Sequence, residues 1–313
     1  MSGFQEVMLA TLTERRFSNA DWLFERKLDG MRALSTRDRK RPELWSRNRN
    51  RLDERFPELI EALADLGGPR FTADGEIVAF DGKQTSFARL QPRIHPTGDS
   101  RIAGTGVTVH YYLFDLLSYD GHDLTRLPLR DRKRLLRAAF EFRDPLRFTT
   151  HRNTEGEAFY AEACERGWEG LIAKRAASRY RGGRSKDWLK FKCVHDQEFV
   201  VGGFTDPQGS REGFGALLVG YHDGHGTLRY AGKVGTGFND RTLRALRERM
   251  NVLAQDQSPF ADPVHEHGAH WIRPELVAQV GFTEWTTDGR LRHPRYQGER
   301  TDKPAEDVVR ETI

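Results

Sequence analysis

The stretch Asp187-Trp188-Leu189-Lys190-Phe191-Lys192 alternates lysine with bulky apolar residues. Extended chains place successive side chains on opposite faces, so Lys190 and Lys192 share one face of a strand otherwise made of Trp188, Leu189 and Phe191. Such a strand needs an apolar core behind it and something anionic in front. Without a polyanion between them the two ammoniums repel each other. The plain alternative is an edge strand that uses lysines to block pairing with another chain.

A second stretch supplies a reason for the anion. Trp22-Leu23-Phe24 reads as a strand, and it runs into Glu25-Arg26-Lys27-Leu28-Asp29-Gly30-Met31-Arg32. An amine attacks phosphorus only when neutral, and an ordinary lysine has a pKa near ~10.4, so burial and cationic neighbours must lower it before it acts as a nucleophile. In a strand Lys27 and Asp29 point the same way, so Asp29 is placed to orient the amine or hold a metal, and Gly30 permits a tight turn. Taken alone, Lys-x-Asp-Gly describes many surface turns. With a triphosphate between them, Lys190 and Lys192 become electrostatic catalysts that depress the Lys27 pKa and neutralise charge on the α-phosphate.

The 313 residues suffice for two ordinary domains, and 37% apolar with 31% charged residues is a soluble globular composition. Met1 to Arg16 lacks the basic start, apolar run and cleavage site of a secretory signal, so a cytoplasmic protein is expected. A net charge of +4 with abundant arginine fits a polyanionic partner. The stretches Arg37 to Arg41 and Arg47 to Arg51 are either solvated loops or phosphate contacts. Only Cys164 and Cys193 are present, far apart in the chain and without histidines at metal-ligand spacing. Core thiols are expected, rather than a disulfide framework or a zinc module.

In order, Met8 to Leu12 reads as a short helix or a segment packed under the first strands. Arg32 to Thr36 and Glu43 to Ser46 read as strands joined by a turn at Asp38 to Pro42. Leu59, Ile60, Leu63 and Leu66 have helical spacing, ended by Gly67-Gly68. Phe71 to Phe80 and Val107 to Leu117 read as buried antiparallel strands. A helix is expected over Arg130 to Phe142, with Leu135, Leu136 and Phe140 inward and arginines outward. Another begins at a capping box of Thr154 and Glu157 and ends at Gly167. Trp168 to Lys174 is expected as a strand and Gly182 to Ser185 as a loop. After Val194 come short strands at Glu198 to Phe204, Ala216 to His222 and Leu228 to Val234, a helix over Arg241 to Leu253, and strands from Trp271 to Trp285. That texture suits a Greek-key barrel of the OB type. The expected fold class is α+β, with domains over 1–194 and 195–313.

Asp74-Gly75-Glu76 places an acid pair at the start of an apolar strand, where a carboxylate can accept ribose hydroxyls or simply cap the strand. Phe114 stands among aliphatics in Tyr112-Leu113-Phe114-Asp115-Leu116-Leu117, as core or as a base-stacking face. Glu169 opens a strand with Lys174 at its far end and suits a hard cation. The ordered set is Lys27-x-Asp29-Gly30, Ser46-Arg47-Asn48, Asp74-Gly75-Glu76, Phe114-Asp-Leu-Leu, Glu169-Gly-x-x-x-Lys174 and Trp188-x-Lys190-x-Lys192, with a barrel after it. This set resembles the covalent nucleotidyltransferase superfamily, and most closely the ATP-dependent DNA ligases, over nearly the whole chain. Leu291-Arg-His-Pro-Arg-Tyr-Gln-Gly298 followed by Arg300-Thr-Asp302-Lys303-Pro304 resembles the end of the ligase module of bacterial non-homologous end-joining enzymes of the LigD type. Arg49 stands where that family usually has a small turn residue.

The resemblance implies an adenylation domain of antiparallel sheets with helices, then an OB-fold β-barrel. It implies ATP as the nucleotide, AMP carried on Lys27, and Mg²⁺ or Mn²⁺. Glu25 and the nearby backbone would read adenine, Phe114 would stack on it, and Arg32, Arg47 and Glu76 would serve the ribose and phosphates. Glu169 with Asp29 would bind the metal, Lys190 and Lys192 would hold the α-phosphate, and Lys174 would join the nucleotide site. Arg300 and Lys303 would contact the departing pyrophosphate, which requires the second domain to close for that step and then swing away. Nicked or broken duplex DNA is the implied partner, with Ku and a separate repair polymerase beside it and a monomeric chain in the bacterial cytoplasm. No polymerase, phosphoesterase or N-terminal DNA-clamping region is visible, and the natural-looking start at Met1 favours a stand-alone minimal ligase. An RNA ligase or an mRNA-capping guanylyltransferase is the nearest competing reading. A nicotinamide-dependent ligase lacks its four-cysteine zinc site here, and a non-catalytic DNA-end-binding module is disfavoured by the intact Lys27, Glu169, Lys190 and Lys192.

Overall fold

Apolar residues at a period of two recur through the first part of the chain, and the backbone accordingly forms sheets. The computed structural model describes residues 6–38, 41–94, 106–193, 195–207, 209 and 212–311. Met1 to Gln5, Arg39 and Lys40 of the basic stretch, and Val194 at the expected boundary lie outside the described residues. The chain divides into two units, Met1–Cys193 and Val194–Thr312.

The first unit opens with β1 (Met8–Leu12), β2 (Trp22–Arg26), β3 (Met31–Arg37), β4 (Glu43–Ser46), α1 (Pro57–Asp65), β5 (Phe71–Asp81), β6 (Gln84–Thr85) and α2 (Phe87–Ile94). It continues through β7 (Val109–Tyr119), β8 (His122–Asp123), α3 (Leu129–Ala139), β9 (Leu146–Phe148), β10 (His151–Asn153), α4 (Gly156–Glu165), β11 (Gly170–Arg175) and β12 (Gly183–Lys192). One sheet has the order β1-β12-β11-β2-β10, antiparallel except that β1 runs parallel to β12. The other runs β4-β3-β5-β7-β8, with β9 joining β7 in parallel.

Each sheet has two different faces. In the first, Phe24, Leu171, Ala173 and Phe191 pack with Phe159 and Ala163 of α4. Glu25, Ile172 and Lys190 lie directly opposite one another across β2, β11 and β12, and so turn to the other face. In the second sheet, Met31, Ala33, Ile77 and Leu113 share a core with Leu59, Ile60 and Leu63 of α1. Its reverse face sends Leu34, Phe114 and Leu117 against Met8, Tyr180 and Trp188. The two sheets therefore meet through an apolar layer, where each fully buried Leu, Phe or Met contributes about 1.5–3 kcal/mol.

Several sequence expectations are corrected. Met8 to Leu12 is a strand, because it pairs with β12 from Met8↔Gly183 to Leu12↔Lys190. The same pairing draws Gly183 to Ser185, expected as a loop, into the start of β12. β12 is interior to its sheet, so its lysines do not guard an edge. α3 stops at Ala139, short of the expected Phe142; Leu136 on it and Phe140 just past its end are buried, but Leu135 is 38% exposed, and Arg132 points inward at 0% exposure. Thr154 and Glu157 do not form a capping box, since Thr154 takes a left-handed φ of 67° and its hydroxyl donates to the Asn153 carbonyl. Ser18 replaces it, accepting from the Glu157 N–H at 3.1 Å and donating to Glu157 Oε2 at 2.9 Å. Cys164 and Cys193 are not thiols but a disulfide, with Cα atoms 5.2 Å apart. The last turn of α4 and the residue after β12 reach the same end of the sheet, where the Cys193 N–H donates to the Glu169 carbonyl at 3.1 Å.

The second unit comprises β13 (His195–Thr205), β14 (Leu217–His222), β15 (Leu228–Val234), α5 (Asp240–Val252), β16 (Ala254–Gln255), β17 (Ala269–Phe282), β18 (Glu284–Trp285), β19 (Leu291–Arg292) and β20 (Arg295–Glu299). Its main sheet runs β15-β14-β13-β17-β16, with β20 added on β17, and all of these pairs are antiparallel. Register shifts at Val201/Gly203, Val219/Gly220 and Gln279/Val280 bend the strands into the curled half-barrel of an OB fold. Asn239 caps α5 by accepting from the Thr242 N–H at 2.8 Å. Leu243, Leu246 and Met250 of α5 then cover Phe199, Val201, Leu217 and Val219.

Arg132 and Asp115 are both 0% exposed and share two bonds, of 2.7 and 2.8 Å. Replacing Arg132 by Met strands a buried carboxylate, and the expected cost is about 3–5 kcal/mol. Arg132→Met combined with Asp115→Leu leaves no lone charge and should recover much of that loss. Denaturant midpoints of the two variants and the parent check this, and equal losses would contradict it.

Candidate active site

β2 ends at Arg26, so Lys27 and Asp29 lie in the loop after the strand and do not share a strand face as expected. The loop is anchored at both ends. The Lys27 N–H donates to the Gly170 carbonyl at 2.9 Å, which continues the β2–β11 pairing by one step. The Asp29 N–H donates to Thr85 Oγ1 at 3.0 Å, and its carboxylate accepts from the Phe87 N–H at 2.9 Å at the start of α2. Gly30 has no left-handed φ, contrary to the expected turn role. Its smallness is needed because a Cβ there would strike the Ile77 carbonyl oxygen and come within 2.7 Å of Val78 Cγ1.

The Lys27 ammonium forms an ion pair with Glu169 Oε1. Glu169 precedes Gly170, which sits at φ 138° pressed against the Phe191 carbonyl and lies opposite Lys192 in the ladder. Lys27, Glu169 and Lys192 are thus gathered at one end of the first sheet, with Lys190 one row further in. The second oxygen of Glu169 is buried and accepts no hydrogen bond. An oxygen left this way suits a hard cation that keeps waters and takes its remaining ligands from phosphate. Among the described residues no group of three or more His, Cys, Asp or Glu could hold a metal by itself.

Deeper in the same face, Glu25 is 2% exposed and lies between two ammoniums. Lys133 donates to its Oε1 and Lys174 bonds its Oε2, each at 2.6 Å. Burial pushes the Glu25 carboxyl up, but Lys133 and Lys174 outweigh it and hold the group below the usual carboxylate range. Burial draws Lys174 down to about 8 against the attraction of Glu25, and repulsion from Lys133 adds to the fall. His151, opposite Glu25 on β10, is likewise lowered by burial and by Lys133.

Phe114 comes from the facing sheet and is 6% exposed. The Lys174 ammonium lies 4.0 Å and the Arg32 guanidinium 4.6 Å from its ring centre. Arg32 forks onto Asp74 at 2.5 and 2.6 Å, and the Tyr180 hydroxyl donates to the same carboxylate at 2.5 Å. Burial alone would lower the Arg32 pKa, but Asp74 raises it above its ordinary value. Glu76 is opposite Arg32 in the β3–β5 register. Arg47 follows β4 in a loop closed by the Ser46 N–H on the Asn50 carbonyl at 2.9 Å. Arg49 there adopts φ 64°, so the loop takes its left-handed turn without a small residue.

In the second unit Arg300 forks onto Asp302 at 2.9 and 2.8 Å, and Lys303 bonds Glu198 at 3.2 Å. Sequence reasoning missed Lys133 and Tyr180, and it read Asp74 as one of an acid pair for ribose or a strand cap rather than as the partner of Arg32. The signal for Lys133 was present: Leu129, Arg132, Lys133 and Leu136 have the spacing of one helix face, and all four are buried.

Residues 7–192 match the family model described as the ATP dependent DNA ligase domain, and residues 210–303 match the ATP dependent DNA ligase C terminal region. Over 311 residues, 97% of the chain, it is 40% identical to the multifunctional non-homologous end joining protein LigD of Pseudomonas aeruginosa, of which it covers 36%. It is 37% identical over 313 residues to the LigD of Mycobacterium tuberculosis, covering 97% of this chain and 39% of that protein. The chain therefore spans well under half the length of these curated relatives. A mycobacterial DNA ligase D solved with ATP and MES superposes with a TM-score of 0.70 at 35% identity, covering 98% of each chain. The ligase domain of M. tuberculosis LigD gives a TM-score of 0.54 at the same identity and coverage. Since the first matched region takes in every site residue from Glu25 to Lys192 and the second takes in Arg300 and Lys303, the chain belongs to the family of ATP-dependent DNA ligases.

Proposed function

We propose that the protein seals 5′-phosphate/3′-hydroxyl breaks in duplex DNA, using ATP and a lysyl-AMP intermediate, in repair by end joining. The observation that carries this reading is the placement of the Lys27 amine beside Glu169, at the end of a sheet face lined by Lys190 and Lys192. An acyl-transfer or redox site has no use for that concentration of ammonium groups around one lysine. A phosphoryl-transfer site does, because in-line displacement at phosphorus depends on positioning and on neutralised oxygens more than on a strong base.

Lys27 leaves Glu169, sheds a proton and forms an N–P bond to the α-phosphate of ATP. The electron pair of the broken P–O bond departs with pyrophosphate. A 5′-phosphate oxygen of the DNA then attacks the AMP phosphorus, and the Lys27 nitrogen leaves and regains a proton. Finally the 3′-hydroxyl attacks the activated 5′-phosphate, loses its proton and displaces AMP. Splitting the reaction this way converts a poor leaving group into a good one. Lys190 and Lys192 neutralise the phosphate oxygens, and Phe114 stacks on the base. Mg²⁺ or Mn²⁺ held by Glu169, with Asp29, would add charge neutralisation when bound. Ku and a separate repair polymerase belong to this reading as partners, in keeping with the end-joining names of the relatives.

Incubating the apo protein with ATP labelled at the α-phosphate and a divalent cation should leave label on the denatured chain. Lys27→Ala should lower that labelling by at least about a thousandfold, since the nucleophile itself is removed. Chasing with nicked duplex DNA should discharge the label as the nick closes. Label from GTP, or discharge only onto RNA, would point to the RNA-directed relatives instead.

Arg300 and Lys303 are assigned to the departing pyrophosphate. Lys303→Ala should therefore slow labelling by about a hundredfold while sealing of a pre-adenylated nick stays within about threefold of the parent. Equal loss of both activities would count against that assignment.

A further inference from the structure

Lys133 is 1% exposed and sits on α3, a helix that sequence reasoning did not connect with the nucleotide. Its ammonium donates to Glu25 Oε1 at 2.6 Å, to the Thr149 carbonyl at 2.9 Å and to the Phe114 carbonyl at 3.5 Å. It thereby ties β2, the residues leading to β10, and β7 to one point. Through Glu25 it reaches Lys174, whose ammonium lies over both Phe114 and Trp188. A buried ammonium carries a desolvation cost, and a methionine would fill similar space without it. Lys174 alone suffices to neutralise Glu25, so a purely structural pairing does not call for this second buried ammonium.

We propose that Lys133 is a positioning residue for the nucleotide: it fixes Glu25 and the Phe114 backbone, and so sets the place and charge of Lys174 against the bound ATP. This deepens the ligase reading and rests on it. Around Lys174 and Glu25 stand Lys133 from α3, which bonds Glu25, Asp115 from β7, which attracts Lys174, and the Phe114 ring with Arg32 on it. His151 lies opposite Glu25 on β10 and also feels Arg130 of α3, and Lys190 of β12 lies in the same row beyond Ile172. Of these, Glu25 attracts the Lys174 proton and Lys133 repels it. Lys174 is charged below about 8 and neutral above it, so affinity for an anionic nucleotide should fall as pH rises through that value. Removing Lys133 removes the repulsion, and that fall should move to higher pH.

The test uses the full chain, freed of AMP with pyrophosphate, and an ATP analogue that cannot be cleaved between the α and β phosphates. Binding to the parent protein should weaken above pH 8. Lys133→Met should bind the analogue roughly ten- to hundredfold more weakly at pH 7, as expected for the loss of charge-assisted hydrogen bonds, with its alkaline limb shifted upward. At saturating ATP the rate of lysine labelling should stay within about threefold, so the loss appears in KM. Lys133→Gln keeps a donor to Glu25 without the charge and should recover part of the affinity but not the parent pH profile. A folded Lys133→Met protein with parental KM and pH profile would overturn the proposal. Should neither variant fold, parent binding that is flat from pH 7 to 9.5 would overturn it, as would a parental KM and pH profile in Lys133→Arg, whose longer fork cannot reproduce the bonds to Glu25, Thr149 and Phe114; a raised KM with a displaced alkaline limb in that variant would uphold it. Failure of the parent to take label from ATP at all would instead overturn the ligase reading.

Discussion

The first unit depends on a charge that its own sheet would otherwise reject. Glu25 stands next to the end of β2, nearly sealed from water, where an unpaired carboxylate costs several kcal/mol. Two ammoniums from different elements meet it at 2.6 Å, one from α3 and one from β11. The pairing gives β2 a polar face compatible with burial, and the apolar face of the same strand is free to pack on α4. With the strand fixed, the loop that follows it is aimed. Lys27 is held by its backbone to Gly170, Asp29 by Thr85 and Phe87, and Gly30 by the lack of room beside β5. Lys27 thus gains its position from neighbours other than the lysines of the sheet face.

The same economy of paired charges runs through the facing sheet. Arg32 and Asp74 form a fork closed by Tyr180, and Arg132 and Asp115 form another beneath it. These pairs are costly to bury and weak as net stabilisation. Their use is geometric: each fork fixes two side chains in one plane, so Phe114 is framed by groups of defined orientation. Arginine suits that task because its guanidinium is planar and keeps its charge when buried.

Much of this was legible in the sequence where one residue carries the information. The alternation around Lys190 and Lys192, the strand before Lys27 and the helical spacing of Leu59, Ile60 and Leu63 each describe a local period, and the chain follows them. The face of α3 was legible too, but the usual rule that arginine and lysine point outward hides it. Arg132 and Lys133 stand at the buried positions between Leu129 and Leu136, and only partners distant in sequence, Asp115 and Glu25, make that placement tolerable. Contacts of that kind have no local signature. The strand at Met8 to Leu12 needs β12, the cap of α4 needs Ser18, and the disulfide needs the ends of α4 and β12 to converge. Each was misread because its partner is more than a hundred residues away or is reached only through the fold.

The last motif shows how such pairing bears on turnover. Arg300 and Lys303 are both held by acids of their own unit, Asp302 and Glu198, and their side chains are only 14% and 11% exposed. On the proposed reading they take hold of pyrophosphate as it leaves. A bare pair of cations at that depth would bind a polyanion too tightly to release it, because nothing would compete for them. With a carboxylate already in place, capture exchanges one anion for another in a similar environment, and the net gain is small. Asp302 and Glu198 then reclaim their partners once the phosphate departs. A cation that must hold an oxyanion through one step and be rid of it before the next is better served by a standing competitor than by stronger attraction.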